Sequence, residues 1–131
     1  MSGITEHGRL VFGVEVDGVV HHDFVLRPAT LEDEYQAIEL IPIPEGAADS
    51  PTLNIAYQMR VDDASLLAQL LSLGTLEPAP LPATLLELID PDDMAVLRVA
   101  ASALKKKRLQ SRIASTPSDS SKPPLSGPAS T

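Results

Sequence analysis

Residues 90–108 read DPDDMAVLRVAASALKKKR, which is the pattern of one complete amphipathic helix. Asp90 can cap the free amides of the first turn, and Pro91 fits the first helical position. Asp92 and Asp93 place negative charge at the start, as the helix dipole favours. The far end carries the opposite charge on Lys105, Lys106, Lys107 and Arg108. One face carries apolar residues at helical spacing, namely Met94, Leu97, Ala101 and Leu104. We therefore predict a helix that docks against another surface.

The composition predicts one small domain with an aliphatic core. The chain has 131 residues, of which 44% are hydrophobic and 3% aromatic, with no cysteine and no tryptophan. The lack of cysteine excludes disulfides, thiolate metal sites and a cysteine nucleophile. No apolar run is long enough to cross a bilayer, and the start, MSGITEHGRL, lacks an apolar signal segment. We expect a soluble protein that is not exported and does not bind membranes.

The net charge of −8 is unevenly distributed along the sequence. Residues 1–104 contain 17 acidic and 4 basic residues, a net charge of −13, whereas residues 105–131 contain 1 and 6, a net charge of +5. An acidic body repels nucleic acid, and one short basic run is a small footprint for phosphate binding. The charge pattern therefore argues against DNA or RNA as a partner.

The first element is predicted to be a β-hairpin over residues 8–27. In LVFGVEV and VVHHDFVL the apolar residues Leu10, Phe12, Val14 and Val16 and then Val20, Phe24 and Leu26, with His22, all fall on even positions. A two-residue Asp17-Gly18 turn would pair even with odd positions. A three-residue loop of residues 16–18 avoids this and would pair Val14 with Val20, Phe12 with His22 and Leu10 with Phe24. We favour the three-residue loop.

A short helix should follow the hairpin, with Thr30 as its N-cap and Asp33 completing a capping box. It is predicted to bury Leu31, Tyr35 and Ile38. Residues 41–51 contain three prolines and a glycine and are predicted to form a loop. Residues 53–61 alternate like a strand, although Ser50-Pro51 would also open a helix; we favour the strand.

The rest of the domain is predicted to be helical. Residues 62–74 begin with acids and end at Gly74, as a buried helix would. A rigid connector, EPAPLP, leads to a capping box of Thr84 and Glu87, a short helical turn and then the helix of residues 90–108. The sequence thus predicts an α+β, mainly α domain over residues 1–110, with an N-terminal hairpin, a bundle of three to four helices and a disordered polar tail over residues 111–131.

Four short motifs follow one another along the chain. They are L-R-x-x-T-x-x-D/E at residues 26–33, LA-x-x-L-x-x-LG at residues 67–74, T-x-x-x-L from Thr84, and D-x-x-x-L-x-x-A-x-x-x-L at residues 93–104. Together they span about two thirds of the chain. In this order they resemble the small tail assembly chaperones of contractile and long-tailed bacteriophages, of the Mu-like and P2-like kind. The proline-rich loop near Pro42 and the long polar tail depart from that pattern.

The resemblance implies a non-catalytic factor in the host bacterial cytoplasm that is absent from the mature virion. It would bind the phage tape measure protein, keep it soluble, and help to recruit tail tube protein; self-association is left open. The partner-binding residues implied are the leucines and alanine of two helices, Leu67, Leu70, Leu71, Leu97, Ala101 and Leu104, for which ordinary core packing is the competing interpretation. Two other functions stay open: a structural tail or baseplate component of the virion, and a small regulatory adaptor.

Catalytic and cofactor sites are not indicated by the sequence. His21 and His22 are adjacent in a strand and point to opposite faces, so they cannot ligate one metal together in regular geometry. The acids near residues 62 and 90 stand at helix starts, where acids are expected without any metal. Neither a phosphate-binding glycine loop nor a nucleophile elbow occurs. We therefore predict no enzyme activity, no cofactor and no metal.

Overall fold

The computed structural model describes residues 3–76, 79–80 and 82–115, and the side chains of residues 114 and 115 are not described. The elements in chain order are β1 (Glu6–Val16), β2 (Val19–Leu26), α1 (Leu31–Leu40), a short 3₁₀ helix (Ala47–Asp49), α2 (Pro51–Leu67), β3 (Leu70–Leu73), α3 (Pro82–Leu88) and α4 (Pro91–Ser115). This is the predicted α+β, mainly α fold. It adds a third strand that the sequence did not predict.

The fold has two layers, with α4 packed across an antiparallel sheet of order β1-β2-β3. The main core lies between them, and α2 and α3 close it at the sides. It is aliphatic apart from one ring and consists of Leu10, Val14, Phe24, Leu26, Leu67, Leu73, Leu85, Met94, Leu97 and Leu104. The predicted core face of α4 is confirmed, because Met94, Leu97 and Leu104 are buried and Ala101 is half-buried.

A second, smaller core joins α1 to α2. It contains Ala37 of α1 and Ile41, the C-cap of that helix, with Val61 and Ala64 of α2. Alanines on both sides allow the two helices to approach closely. This contact holds the α1–α2 pair beside the main core.

The hairpin is confirmed, but the predicted three-residue loop is wrong. Val16 pairs with Val19 across a two-residue turn, in which Asp17 and Gly18 both have positive φ (52° and 80°). That is the turn whose twist matches a right-handed strand pair. A two-residue turn pairs even with odd positions, and β1 compensates for this with a shift in register between Arg9 and Val14.

The shift creates a β-bulge at residues 10–13, with Gly13 at a φ of 83°. Before the bulge Gly8 pairs with Phe24, and after it Val14 pairs with His21. The predicted pairs of Val14 with Val20, Phe12 with His22 and Leu10 with Phe24 are therefore absent from the register. The bulge also exposes Phe12, whereas Leu10 and Val14, predicted on the same face of the strand, are buried.

Helix α1 begins as predicted, but buries a different face. Thr30 and Asp33 form the complete capping box. Leu31, Tyr35 and Ile38, predicted to be buried, are all about half exposed or more, whereas Asp33 and Ala37 are buried. The reason is that α2 packs against Ala37, and Arg27 draws the Asp33 carboxylate inward.

Residues 53–61 are helical, so the favoured strand is wrong and the alternative start at Ser50-Pro51 is correct. The Ser50 hydroxyl accepts a hydrogen bond from the Leu53 amide (3.3 Å), and Pro51 occupies the first turn. The loop that precedes α2, residues 41–50, contains one 3₁₀ turn.

The helix predicted over residues 62–74 ends early, at Leu67. Residues 70–73 instead form β3, which pairs with the free edge of β2: Phe24 lies opposite Leu73, and Val25 opposite Ser72. An unpaired strand edge leaves donors and acceptors unsatisfied, and this pairing outweighs the helical spacing of the leucines.

The C-terminal helices differ from prediction at their ends. Helix α3 begins at Pro82, so Thr84 lies inside the helix and is not its cap. In α4 the Asp90 carboxylate accepts from the Asp92 amide (2.8 Å), which confirms the predicted cap. Helix α4 continues to Ser115, beyond the predicted end at residue 108 and the domain boundary at residue 110. Residues 77, 78 and 81 of the connector and residues 116–131 of the tail lie outside the described residues.

Gly74 follows β3 and packs tightly against β2. It has a φ of 61°, its amide donates to the Asp23 carbonyl (2.6 Å), and a Cβ there would overlap the His21 ring. We expect Gly74→Ala to lower the free energy of unfolding by about 2 kcal/mol, from backbone strain and overlap together. Chemical denaturation measures this.

Gly18→Ala is the matched control, because Gly18 also has positive φ but has open space around its missing Cβ. We expect Gly18→Ala to lower the free energy of unfolding only by the cost of placing alanine at positive φ. Equal losses in the two variants would show that the contact with His21 contributes nothing.

Candidate functional site: a groove beside helix α4

An open groove of about 380 Å³ runs beside α4. One side of α4, the last turn of α2 and the connection between β2 and α1 form its walls. The residues lining it are Pro28, Ala29, Leu66, Gln69, Arg98, Ala101, Ser102, Leu104, Lys105 and Arg108. Most of the exposed surface inside the groove is apolar, although three cations lie along its α4 wall.

The three cations differ in their availability. Arg98 forms an ion pair with Asp63 of α2 (2.8 Å), and this pair ties α4 to α2 at one end of the groove. Lys105 and Arg108 are exposed and face no carboxylate within ion-pair distance in the described part of the chain. The groove thus offers an apolar floor and a positively charged rim, which suits an apolar segment that carries carboxylates.

Arg27 fixes the wall formed by Pro28. Its guanidinium donates two hydrogen bonds to the Asp33 carboxylate (2.7 and 2.9 Å), one to the Ala68 carbonyl (2.8 Å) and one to the Pro28 carbonyl (3.0 Å). The Gln69 side chain donates to the Arg27 carbonyl (2.9 Å). These bonds join the β2–α1 connection to the end of α2, so the groove has a preformed wall.

The Arg27–Asp33 pair shifts the protonation of both partners. Burial raises the pKa of Asp33, whereas the hydrogen bonds from Arg27 and Thr30 lower it, and the net pKa lies below its ordinary value. The hydrogen bond to Asp33 raises the pKa of Arg27 further above its ordinary range. Both side chains therefore stay charged at neutral pH.

Asp93 holds the bulge of β1 against the start of α4. Its carboxylate is fully buried and accepts hydrogen bonds from three consecutive amides: Val11 (2.7 Å), Phe12 (3.2 and 3.3 Å) and Gly13 (2.9 Å). Successive amides that converge on one anion form an anion-binding concavity, and here the anion belongs to the chain itself. The site is structural, and it leaves Val11 and Phe12 exposed.

The six predicted partner-binding residues do not form one surface. Leu67, Leu97 and Leu104 are almost fully buried in the main core, so they are not the exposed docking residues that were predicted. They are buried because α4 and the end of α2 face the sheet with these side chains. Leu70 and Ala101 are half-buried, and Leu71 is exposed on the edge strand β3.

Only Ala101 and Leu104 of the predicted set line the groove. Sequence reasoning missed Leu66 and the two exposed cations Lys105 and Arg108, which were interpreted as the basic end of the helix and as too short a run for phosphate binding. Residues 101, 104, 105 and 108 lie on one face of a helix. The sequence pattern that could have indicated the groove is therefore an apolar stripe that is followed by cations on the same face.

The two adjacent histidines of β2 make separate hydrogen bonds. His21 is buried and its Nδ1 accepts from the Thr75 amide (3.4 Å), while His22 Nδ1 donates to the Leu10 carbonyl (3.0 Å). Over the described ranges, no three histidine or acidic side chains stand close enough to hold a metal ion. In the same ranges, no helix is long and apolar enough to span a bilayer.

The motif residues mostly fix the fold. Arg27, Thr30 and Asp33 of the first motif form the network beside the groove, and Asp93 of the last holds the bulge. In comparisons with known proteins, no family model, no curated protein and no solved structure matches the chain.

Proposed function

We propose that this protein is a phage tail assembly chaperone, a non-catalytic factor that holds a helical segment of the tape measure protein in the groove beside α4. The observation that carries the proposal is the groove itself: an apolar floor with two exposed cations, Lys105 and Arg108, at its rim. This is the arrangement used to bind an amphipathic helix, whose apolar side chains enter the groove while its charged residues meet the rim.

The chemistry of the groove sets what the bound segment should look like. A volume of about 380 Å³ accommodates a few apolar side chains and not a whole helix. Lys105 and Arg108 favour acidic residues beside those side chains. A long helical protein with exposed apolar stripes aggregates unless such stripes are covered, and a transient cover of this kind keeps it soluble.

The remaining parts of the proposal follow from the same role. The chaperone acts in the host cytoplasm, hands the tape measure protein over as tail tube protein assembles around it, and does not stay in the mature virion. The acidic body of the chain disfavours nucleic acid as the ligand.

Filling the groove should reduce the rescue of the tape measure protein. We expect Ala101→Phe to weaken binding about tenfold or more, equivalent to about 1.4 kcal/mol, because the ring occupies the space of a bound side chain. The measurement is the soluble fraction of the tape measure protein of the same phage when it is co-expressed with each variant.

Val99→Phe is the matched control, since Val99 is on the same helix but exposed and outside the groove. A second variant, Lys105→Glu with Arg108→Glu, reverses the charge of the rim and avoids overpacking the groove. Undiminished rescue by both groove variants would reject the groove as the binding site. Stoichiometric presence of the protein in purified particles would favour a structural virion component instead.

A further inference from the structure

The last part of α4 extends beyond the core. Leu104 is the last buried residue among the described side chains of α4, and residues 105–113 are all exposed. These residues, with the end of the helix at Ser115, make about three turns that we call the α4 arm. Lys107 anchors its first turn through the Glu6 carboxylate (2.8 Å) and the Thr5 carbonyl (3.1 Å).

The α4 arm has an apolar strip among cations. Leu109 and Ile113 are 60% and 68% exposed and stand one turn apart on one side of the helix. Lys105, Lys106 and Arg108 stand around them. A short helical arm with exposed apolar residues gains little stability by itself, so a packing partner would add to it.

Helix α1 presents the complementary surface, which we call the α1 face. It consists of Leu31, Tyr35 and Ile38, each about half exposed or more, on a side of α1 that α2 does not cover. Their spacing puts the three side chains in one stripe. The acidic residues Glu32, Glu34 and Glu39 flank this stripe, and all three are exposed.

We propose that the α4 arm of one copy of this protein packs against the α1 face of a second copy. Both surfaces combine an apolar strip with charges of one sign, and the signs are opposite. Apolar side chains would cover one another while the lysines and Arg108 meet the glutamates of α1. Within one chain the two surfaces are both exposed, so neither covers the other.

The contact joins two different surfaces, and each copy of the protein has one α4 arm and one α1 face. Such a contact either closes as a reciprocal pair or continues to further copies. Two short helical faces bury less than the roughly 800 Å² per partner of a standard interface. We therefore expect weak association that depends on protein concentration.

Sedimentation of the full chain over a range of concentrations tests the proposal. The wild type should self-associate. Leu109→Ser with Ile113→Ser should be monomeric, and so should Tyr35→Ser with Ile38→Ser. Ile55→Ser with Met59→Ser is the matched control, because these residues of α2 are equally exposed but belong to neither surface, and it should associate like the wild type.

Mixing the two monomeric variants gives the sharper result. The first retains the α1 face and the second retains the α4 arm, so the mixture should form a 1:1 complex. All substituted residues are exposed, and circular dichroism verifies that each variant folds. A monomeric wild type at every concentration, or a mixture without the complex, overturns the proposal. The groove variant Ala101→Phe should self-associate normally, so this test is independent of tape measure binding.

Discussion

Asp93→Ala is expected to lower the free energy of unfolding by about 4 kcal/mol. The substitution removes the acceptor of three amides, those of residues 11–13, which are part-buried between β1 and α4. Each orphaned amide costs roughly 1–3 kcal/mol, less what entering water recovers. Denaturant unfolding monitored by circular dichroism measures the loss.

Asp92→Ala separates this role from the ordinary preference for acids at a helix start. Asp92 is the preceding residue and is exposed, so its removal should cost about 0.3–1 kcal/mol. Similar losses in the two variants would mean that the amides of the bulge find another acceptor. Asp93 would then matter only through the helix dipole.

The bulge also shows where sequence reasoning reached its limit. Alternating apolar residues located the hairpin, and the conflict of parity between its strands was visible in the sequence. Its solution depends on Asp93, which is 80 or more residues away in the chain. Local sequence patterns do not reveal a contact of that range. The extra residue was therefore predicted in the turn, whereas the structure has a bulge in β1.

The same limit applies to α1 and β3. Thr30 and Asp33 predicted the start of α1, because capping is a local interaction. The buried face was not predictable from apolar spacing, since Ala37 is buried by α2 and Asp33 by Arg27. Residues 70–73 have leucines at helical spacing, but the free edge of β2 decides their conformation.

The candidate site was predicted only where it coincides with a helical stripe. Ala101 and Leu104 were named from the amphipathic pattern of α4, and both line the groove. The other walls come from Leu66 and from Pro28, which are far apart in sequence and meet only in the fold. Motif residues such as Arg27 and Asp93 hold these walls and strands in place, so binding is expected on the surfaces between them.

Arg27→Met should lower the free energy of unfolding by about 3 kcal/mol at neutral pH. The Asp33 side chain is 4% exposed and would lose the guanidinium that pairs with it. Removing one partner of a buried ion pair leaves an uncompensated charge. The Ala68 carbonyl also loses its donor from the side chain. Arg9→Met is the matched control, because Arg9 and Asp23 form an ion pair with side chains 65% and 75% exposed, which contributes little.

The loss in Arg27→Met should depend on pH with a definite sign. In the wild type the pKa of Asp33 is held below its ordinary value of 3.8, so the pair stabilises the fold above that pH and ceases to do so as the pH falls through the lowered pKa. In the variant, burial without Arg27 favours the protonated carboxyl, which removes the uncompensated charge at low pH. The stability difference between wild type and variant should therefore shrink as the pH falls through the range between the pKa of Asp33 in the variant and its lowered pKa in the wild type. A difference that stays constant from neutral to acidic pH would show that Arg27 acts through packing of its aliphatic part, because loss of packing does not depend on the charge of Asp33.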